Sequence, residues 1–121
     1  MRKHNNIKFK AGQNIAMKVP SHQYEQTVQF YRDIIGLPHI KDEEPQTVFK
    51  FGDKKLWIDR ENHLSQAEIW LELVCKNVEK AKTYLESENI IRRDEVEKLP
   101  EGFEGFWIAS PGDIIHLITK G

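Results

Sequence analysis

The feature of this sequence that most constrains its fold is a pattern of strands and a helix that occurs twice. The first copy opens with IAMKV and closes with KLWID, and the second opens with EIWLELV and closes with IIHLIT. The spacing from Asn14 to Trp70 is 56 residues, and the spacing from Asp59 to His116 is 57. A repeat present only twice is not a solenoid. It predicts two half-open sheets, which must bury their faces against each other or against a second copy.

Each opening strand precedes a segment with apolar residues at helical spacing. The first such segment ends at Gly36, a residue that commonly follows the last turn of a helix. Three further strands are predicted after it, at residues 39–43 (HIKDE), 47–51 (TVFKF) and 55–59 (KLWID). The apolar positions of the two helices are Val28, Tyr31, Ile34 and Ile35 in the first, and Val78, Ala81, Tyr84 and Leu85 in the second.

These elements predict an α+β fold built from two βαβββ modules, at about residues 13–60 and 67–120. The expected arrangement is a curved mixed sheet around a central cavity, with the helices on the outer face. A chain of 121 residues with 39% hydrophobic content is long enough for one domain and short for two. We therefore expect a single domain over residues 1–121.

Charge and cysteine content narrow the classes of partner. Lys and Arg total 18 against 19 Asp and Glu, so no basic face is indicated for nucleic acid or anionic lipid. The basic start has no apolar signal segment, and no run of residues is apolar enough to span a membrane. The single cysteine, Cys75, excludes an internal disulfide and favours a reducing compartment. The expectation is a cytoplasmic protein that binds a small molecule.

Two segments carry a resemblance to a known family. NIAMKVPSHQYEQTVQFYRDIIGLP near the start and GFEGFWIASPGDIIHLI near the end resemble the vicinal oxygen chelate superfamily. That superfamily includes glyoxalase I, fosfomycin and bleomycin resistance proteins, and extradiol dioxygenases. The resemblance implies the fold predicted above and a homodimer, but it does not select a reaction, because one fold supports many chemistries.

The resemblance also implies four metal-ligand positions, which fall on Asn14, Asp59, Trp70 and His116. Asparagine is a poor ligand for a transition metal, and tryptophan cannot coordinate one. Asp59 and His116 are competent, but a catalytic ion normally needs three protein ligands. We therefore expect no metal cofactor. A divalent ion such as Zn, Ni, Mn or Fe, held by Asp59, His116 and Asn14, is the alternative.

The period of two along each strand predicts the lining of the cavity independently of the family. A mixture of indole rings and a few polar groups is typical of a small-molecule pocket. Trp107 is expected in the core, whereas Asp59 as a solvated strand end and His116 as a structural residue are the alternatives to a role in binding. The side chains expected to face inward are Asn14, Ala16, Lys18, Trp57, Asp59, Trp70, Glu72 and His116.

Three functions remain open at this point. The first is a metal-free binding protein for a planar ligand, with Trp57 and Trp70 stacking on it. The second is a divalent-metal-dependent lyase, isomerase or dioxygenase, in which Glu72 or Asp59 abstracts a proton. The third is metal-free acid–base catalysis by Asp59 and His116. Trp70 at a ligand position favours the binding protein.

Overall fold

The computed structural model describes residues 7–121, which form two compact units. The first unit is Gln13–Trp70, and the second joins residues 7–12 to Leu71–Gly121. Strand β5, Glu68–Cys75, begins in the first unit and ends in the second. Both units combine a helix with strands in parallel and antiparallel pairs, so the predicted α+β class is confirmed. Residues 1–6, which open the basic start, lie outside the described residues.

The sheet of the first unit is built around β2, Asn14–Pro20. This strand pairs in parallel with β4, Lys54–Glu61, and antiparallel with the first residues of β5. The strand β3, Thr47–Phe51, lies antiparallel on the outer side of β4. In this register Lys18 lies opposite Asp59 on one side and Glu68 on the other.

The helix α1, Ser21–Gln29, covers one face of this sheet. Its buried Val28 packs in one cluster with Val19, Phe49, Leu56 and Ile58. Along β2 and β4 these core residues alternate with Lys18, Trp57 and Asp59. Because successive side chains of a strand point to opposite faces, the polar and aromatic residues lie on the face opposite the helix.

The predicted first helix continues beyond α1 in a different form. Phe30–Ile35 is a π-helix, and Gly36 ends it in the left-handed region at φ 79°. Gly36 and Leu37 both donate backbone hydrogen bonds to the carbonyl of Tyr31. Ile34 and Ile35, which the helical spacing assigned to the buried face, are 71% and 52% exposed.

The prediction of a strand at residues 39–43 is wrong. Lys41–Glu43 forms a single 3₁₀ turn, and His39 alone bridges to Phe49. Lys41 and Asp42 are exposed and Glu43 is half-buried. With no buried apolar residues at alternate positions, the segment has no sheet face to pack. The first module therefore has two strands after its helix rather than three.

The second unit has its own sheet and helix. The last residues of β5 lie between β1, Lys10–Ala11, and β8, Ile115–Lys120. The strand β7, Gly105–Ala109, joins β8 to the short β6, Ile91–Arg92. From β5 onward the order of elements is a strand, a helix and three strands, and β1 is a further strand that the sequence did not predict.

The helix α2, Val78–Ser87, begins at Asn77, whose side chain accepts a hydrogen bond from the backbone N–H of Lys80. Val78 and Ala81 are buried, as their spacing predicts, and they pack with Phe106 and Ile118 of the sheet. Among the residues that the structure describes, no helix is long and apolar enough to span a membrane.

Candidate functional site

A buried lysine lies at the centre of the polar face of the first unit. Lys18 is 3% exposed, and its Nζ lies 2.9 Å from Oδ2 of Asp59 and 3.6 Å from Oε2 of Glu61. The parallel pairing of β2 with β4 brings these side chains to one face. Burying an ammonium group is costly unless it is paired, so the two carboxylates are what allow Lys18 to lie there.

Trp70 covers the same ammonium group from β5. Lys18 Nζ lies 4.4 Å from the centroid of the indole ring, in a cation–π arrangement. The indole Nε1 donates a hydrogen bond of 2.9 Å to Oε1 of Glu68. Trp70 is 8% exposed, so most of its ring is already in contact with protein. We refer to Lys18, Asp59, Glu61, Glu68 and Trp70 as the Lys18 cluster.

A second indole on this face is held by an amide. Trp57 Nε1 donates a hydrogen bond of 2.7 Å to Oδ1 of Asn14. Both residues are half-buried. The polar edges of Trp57 and Trp70 are therefore both satisfied within the first unit, which fixes the orientation of the two rings.

The residues at the expected metal positions of the first unit are already engaged with other side chains. Asn14 uses its amide oxygen for Trp57, and Asp59 is paired with Lys18. The Lys18 ammonium adds a positive charge where a cation would have to bind. Within residues 7–121 no group of three His, Cys, Asp or Glu side chains is arranged to hold a metal ion.

Glu72 lies two residues beyond Trp70 on β5 and therefore on the same face of that strand. Its backbone carbonyl accepts a hydrogen bond of 2.8 Å from the N–H of Gly12, and its side chain is half-buried. A Cβ atom on Gly12 would collide with the carboxylate of Glu72. Gly12 thus permits the close approach of the Glu72 side chain to the backbone.

His116 does not have the orientation expected from the sequence. On β8 it shares a face with Ile118, which packs against α2, and Leu117 occupies the opposite face. Its Nδ1 donates a hydrogen bond of 2.9 Å to the carbonyl of Ile114. The expectation that His116 faces away from the helix layer is corrected here. Strand side chains alternate with a period of two, so an error of one residue in aligning the modules reverses the face.

Two carboxylates were missed by the sequence interpretation. Glu61 and Glu68 belong to the Lys18 cluster, yet neither is among the side chains that the sequence predicts to face inward. The period of two could have identified them, because Glu61 follows Asp59 by two residues and Glu68 precedes Trp70 by two. Trp107 is 6% exposed and donates from Nε1 to the carbonyl of Glu97, as a core residue would.

No family model matches this sequence, and no curated protein does. Solved structures do match its fold. A Mn(II)-bound glyoxalase from Novosphingobium aromaticivorans has a TM-score of 0.64 at 15% identity, over 94% of this chain and 40% of the other. A hypothetical protein from Bacillus halodurans C-125 has a TM-score of 0.63 at 11% identity, over 97% of this chain and 96% of the other. A glyoxalase/bleomycin resistance protein/dioxygenase superfamily member from Vibrio splendidus 12B01 has a TM-score of 0.58 at 8% identity, over 93% and 100%.

These likenesses establish the fold. It is the vicinal oxygen chelate fold of the glyoxalase, bleomycin resistance and dioxygenase proteins, as the resemblance in the sequence implied. The chain spans 40% of the length of the Mn(II)-bound glyoxalase and nearly the whole of the Bacillus and Vibrio proteins. Identities of 8–15% leave the activity to be argued from the residues themselves.

Proposed function

We propose that this protein binds a small molecule in the manner of the glyoxalase and bleomycin resistance proteins, with an ion-pair cluster in place of a metal site. The observation that carries the proposal is the ion pair of 2.9 Å between Lys18 and Asp59. It engages the carboxylate that the resemblance assigns to a metal. A lysine ammonium there disfavours a divalent cation by charge repulsion.

The chemistry of the polar face suggests the class of ligand. The half-buried indole of Trp57 offers an apolar, planar surface for stacking, whereas Trp70 is 8% exposed and largely covered by protein contacts. The Lys18 cluster has one ammonium group against three carboxylates, and the Asp59 and Glu61 side chains are 24% and 23% exposed. We therefore propose a planar ligand that carries hydrogen-bond donors or a positive charge. Asn14, Trp57 and Asp59 are the proposed contacts, Lys18 and Trp70 are proposed to hold these side chains in place, and Glu72 stays a prediction.

The alternative is a metal-dependent enzyme, a lyase, isomerase or dioxygenase. One observation favours it, because the Novosphingobium glyoxalase of the same fold contains Mn(II). In this chain the metal would have to displace Lys18 from Asp59 and Trp57 from Asn14. The cost of breaking these contacts makes the metal-free binding protein the better proposal.

The binding proposal predicts a specific response of tryptophan fluorescence. In a screen of planar aromatic amines, carboxylates and neutral analogues of matched size, we expect quenching by the amines at the lowest concentrations. Trp57→Ala should weaken binding of the best amine about tenfold to a hundredfold, because stacking and apolar burial worth roughly 1–3 kcal/mol are lost. Trp107→Phe, in the core of the second unit, is the control and should leave affinity within about twofold.

Two results would contradict the binding proposal. One is a screen in which the amines bind no better than the carboxylates and neutral analogues, or in which Trp57→Ala has no effect. The other is a large rise in melting temperature on adding zinc, nickel, manganese or iron that Asp59→Asn abolishes, since a ligand stabilises only by preferential binding to the folded state. The second result would establish the metal-dependent alternative.

We also propose that the protein forms a homodimer through the end of its first helical segment. Phe30, Ile34 and Ile35 are all more than two fifths exposed, and such apolar side chains on one short segment favour association. Sedimentation is expected to show a dimer at micromolar concentration, and Ile34→Glu should raise its dissociation constant at least about tenfold. Ile91→Glu, at an isoleucine of the second unit that is 62% exposed, is the control. A monomer throughout the micromolar range would remove the proposal.

We propose a cytoplasmic location from the state of the Cys75 thiol. Burial raises the pKa of Cys75, an effect that a backbone hydrogen bond from Asn77 only partly offsets. A buried, protonated thiol is poorly reactive and suits a reducing compartment.

A further inference from the structure

The second unit contains a cavity of about 530 Å³ beside the beginning of α2. Among the described residues, its walls come from the segment before and within β1, the end of β5, the start of α2, and Gly121. None of the residues argued above to bind the planar ligand lines it. The volume falls in the range of pockets that hold small organic molecules.

Among the described residues, four lysines line this cavity: Lys8, Lys10, Lys76 and Lys80. None of them is ion-paired within residues 7–121, and no Asp or Glu side chain of this range is part of the lining. Four ammonium groups around one cavity repel one another, and a bound anion would relieve that repulsion. A carboxylate at Gly121, which also lines the cavity, would still leave a net positive charge.

The local structure explains why the four lysines converge. Lys8 and Lys10 are two residues apart, just before and at the beginning of β1, and both are exposed whereas Ile7 and Phe9 are half-buried, an alternation that puts the two lysines on one side. Lys76 and Lys80 flank the Asn77 cap and are four residues apart at the start of the helix. The positive end of the α2 dipole adds to their charge.

The interior of the cavity is apolar. Ile7, Val74 and Cys75 form it, and burial raises the pKa of the Cys75 thiol, which keeps that group uncharged at neutral pH. The long apolar stems of the lysines extend this surface up to their charged ends. An occupant must therefore offer an apolar body as well as a negative charge.

We propose that this cavity is a second binding site, which takes small amphiphilic organic anions. The ligand class is an aliphatic or aromatic body that carries one carboxylate, sulfonate or phosphate group. The apolar body lies against Ile7, Val74 and Cys75, and the anionic group lies among the lysine ammonium groups. This site goes beyond the proposed function and does not depend on it, because it uses other residues of the other unit.

The test uses two fluorescent compounds of similar shape and different charge. The anion 8-anilinonaphthalene-1-sulfonate is expected to bind, and the double variant Lys10→Glu/Lys80→Glu should raise its dissociation constant about tenfold or more. Binding of the neutral N-phenyl-1-naphthylamine should change by less than about threefold, since its contacts are apolar. Lys98→Glu reverses the charge of an exposed lysine in the same unit but outside the cavity, and it should leave the dissociation constants of both compounds unchanged.

Competition and mapping complete the experiment. Decanoate should displace the sulfonate, whereas inorganic phosphate at equal ionic strength should not. Amide shifts on binding should cluster at residues 74–80. The proposal would be overturned if Lys98→Glu weakened sulfonate binding as much as the double variant does. It would also be overturned if phosphate displaced the sulfonate as well as decanoate does, or if the amide shifts were centred outside residues 74–80. If the charge-reversed variant fails to fold, Lys10→Gln/Lys80→Gln should give a smaller loss in the same direction.

Discussion

Replacing Lys18 with methionine is expected to lower the free energy of unfolding by about 2–4 kcal/mol. Methionine keeps the approximate length and the apolar stem of lysine, so the change removes the ammonium group and little else. The carboxylates of Asp59 and Glu61 would then lose the cation that lies 2.9 and 3.6 Å from them. They are each about one quarter exposed, so water compensates in part, and the expected loss is below that for a fully buried pair.

A double-mutant cycle separates the ion pair from other effects of the Lys18 substitution. Asp59→Asn removes one charge, and the double variant Lys18→Met/Asp59→Asn should be less destabilised than the sum of the two single variants. The exposed Lys50 of β3 provides the control, since Lys50→Met should change stability by no more than about 0.5 kcal/mol. Urea denaturation gives all four values. A Lys18→Met effect as small as that of Lys50→Met would show that the pair does not hold this face together.

The repeat in the sequence predicted most of the architecture because alternation and helical spacing are local properties. The opening strands, α2 and the closing hairpin of the second unit all follow from residues that are near one another in the chain. The ion pair of Lys18 is not set by such local patterns. It depends on β2 pairing with both β4 and β5, which are about 40 and 50 residues away. The sequence predicted the face on which Lys18 and Asp59 lie, but not that they would pair.

Two errors have identifiable physical causes. Ile34 and Ile35 have the spacing of a buried α-helical face, but the chain changes to a π-helix at Phe30, and the wider turn rotates them toward solvent. His116 is the position that the resemblance to the family assigns to a metal ligand. A shift of one residue in that alignment exchanges His116 with Leu117, which occupies the opposite face of β8. Local patterns do not determine either property.

Phe49→Ala is expected to destabilise the protein by about 3–5 kcal/mol, the largest effect of a single substitution considered for the first unit. Phe49 is fully buried, and the centroid of its ring lies 6.3 Å from that of Tyr31 and 5.8 Å from that of His39. It packs in the cluster that joins α1 to the sheet, so removing the ring leaves a cavity lined by residues of several elements. Those elements are held by backbone hydrogen bonds and can close the cavity only in part.

The same strand offers a matched control for Phe49→Ala. Phe51 is two residues further along β3, on the same face, and is 47% exposed. Because its ring is already half in water, Phe51→Ala should cost less than about 1 kcal/mol, although the atoms removed are identical. Urea unfolding of both variants measures the difference in their free energies of unfolding, provided that the slope of this free energy against urea concentration is unchanged. Equal losses would contradict the prediction and would mean that burial of Phe49 beneath α1 contributes little to the stability of the first unit.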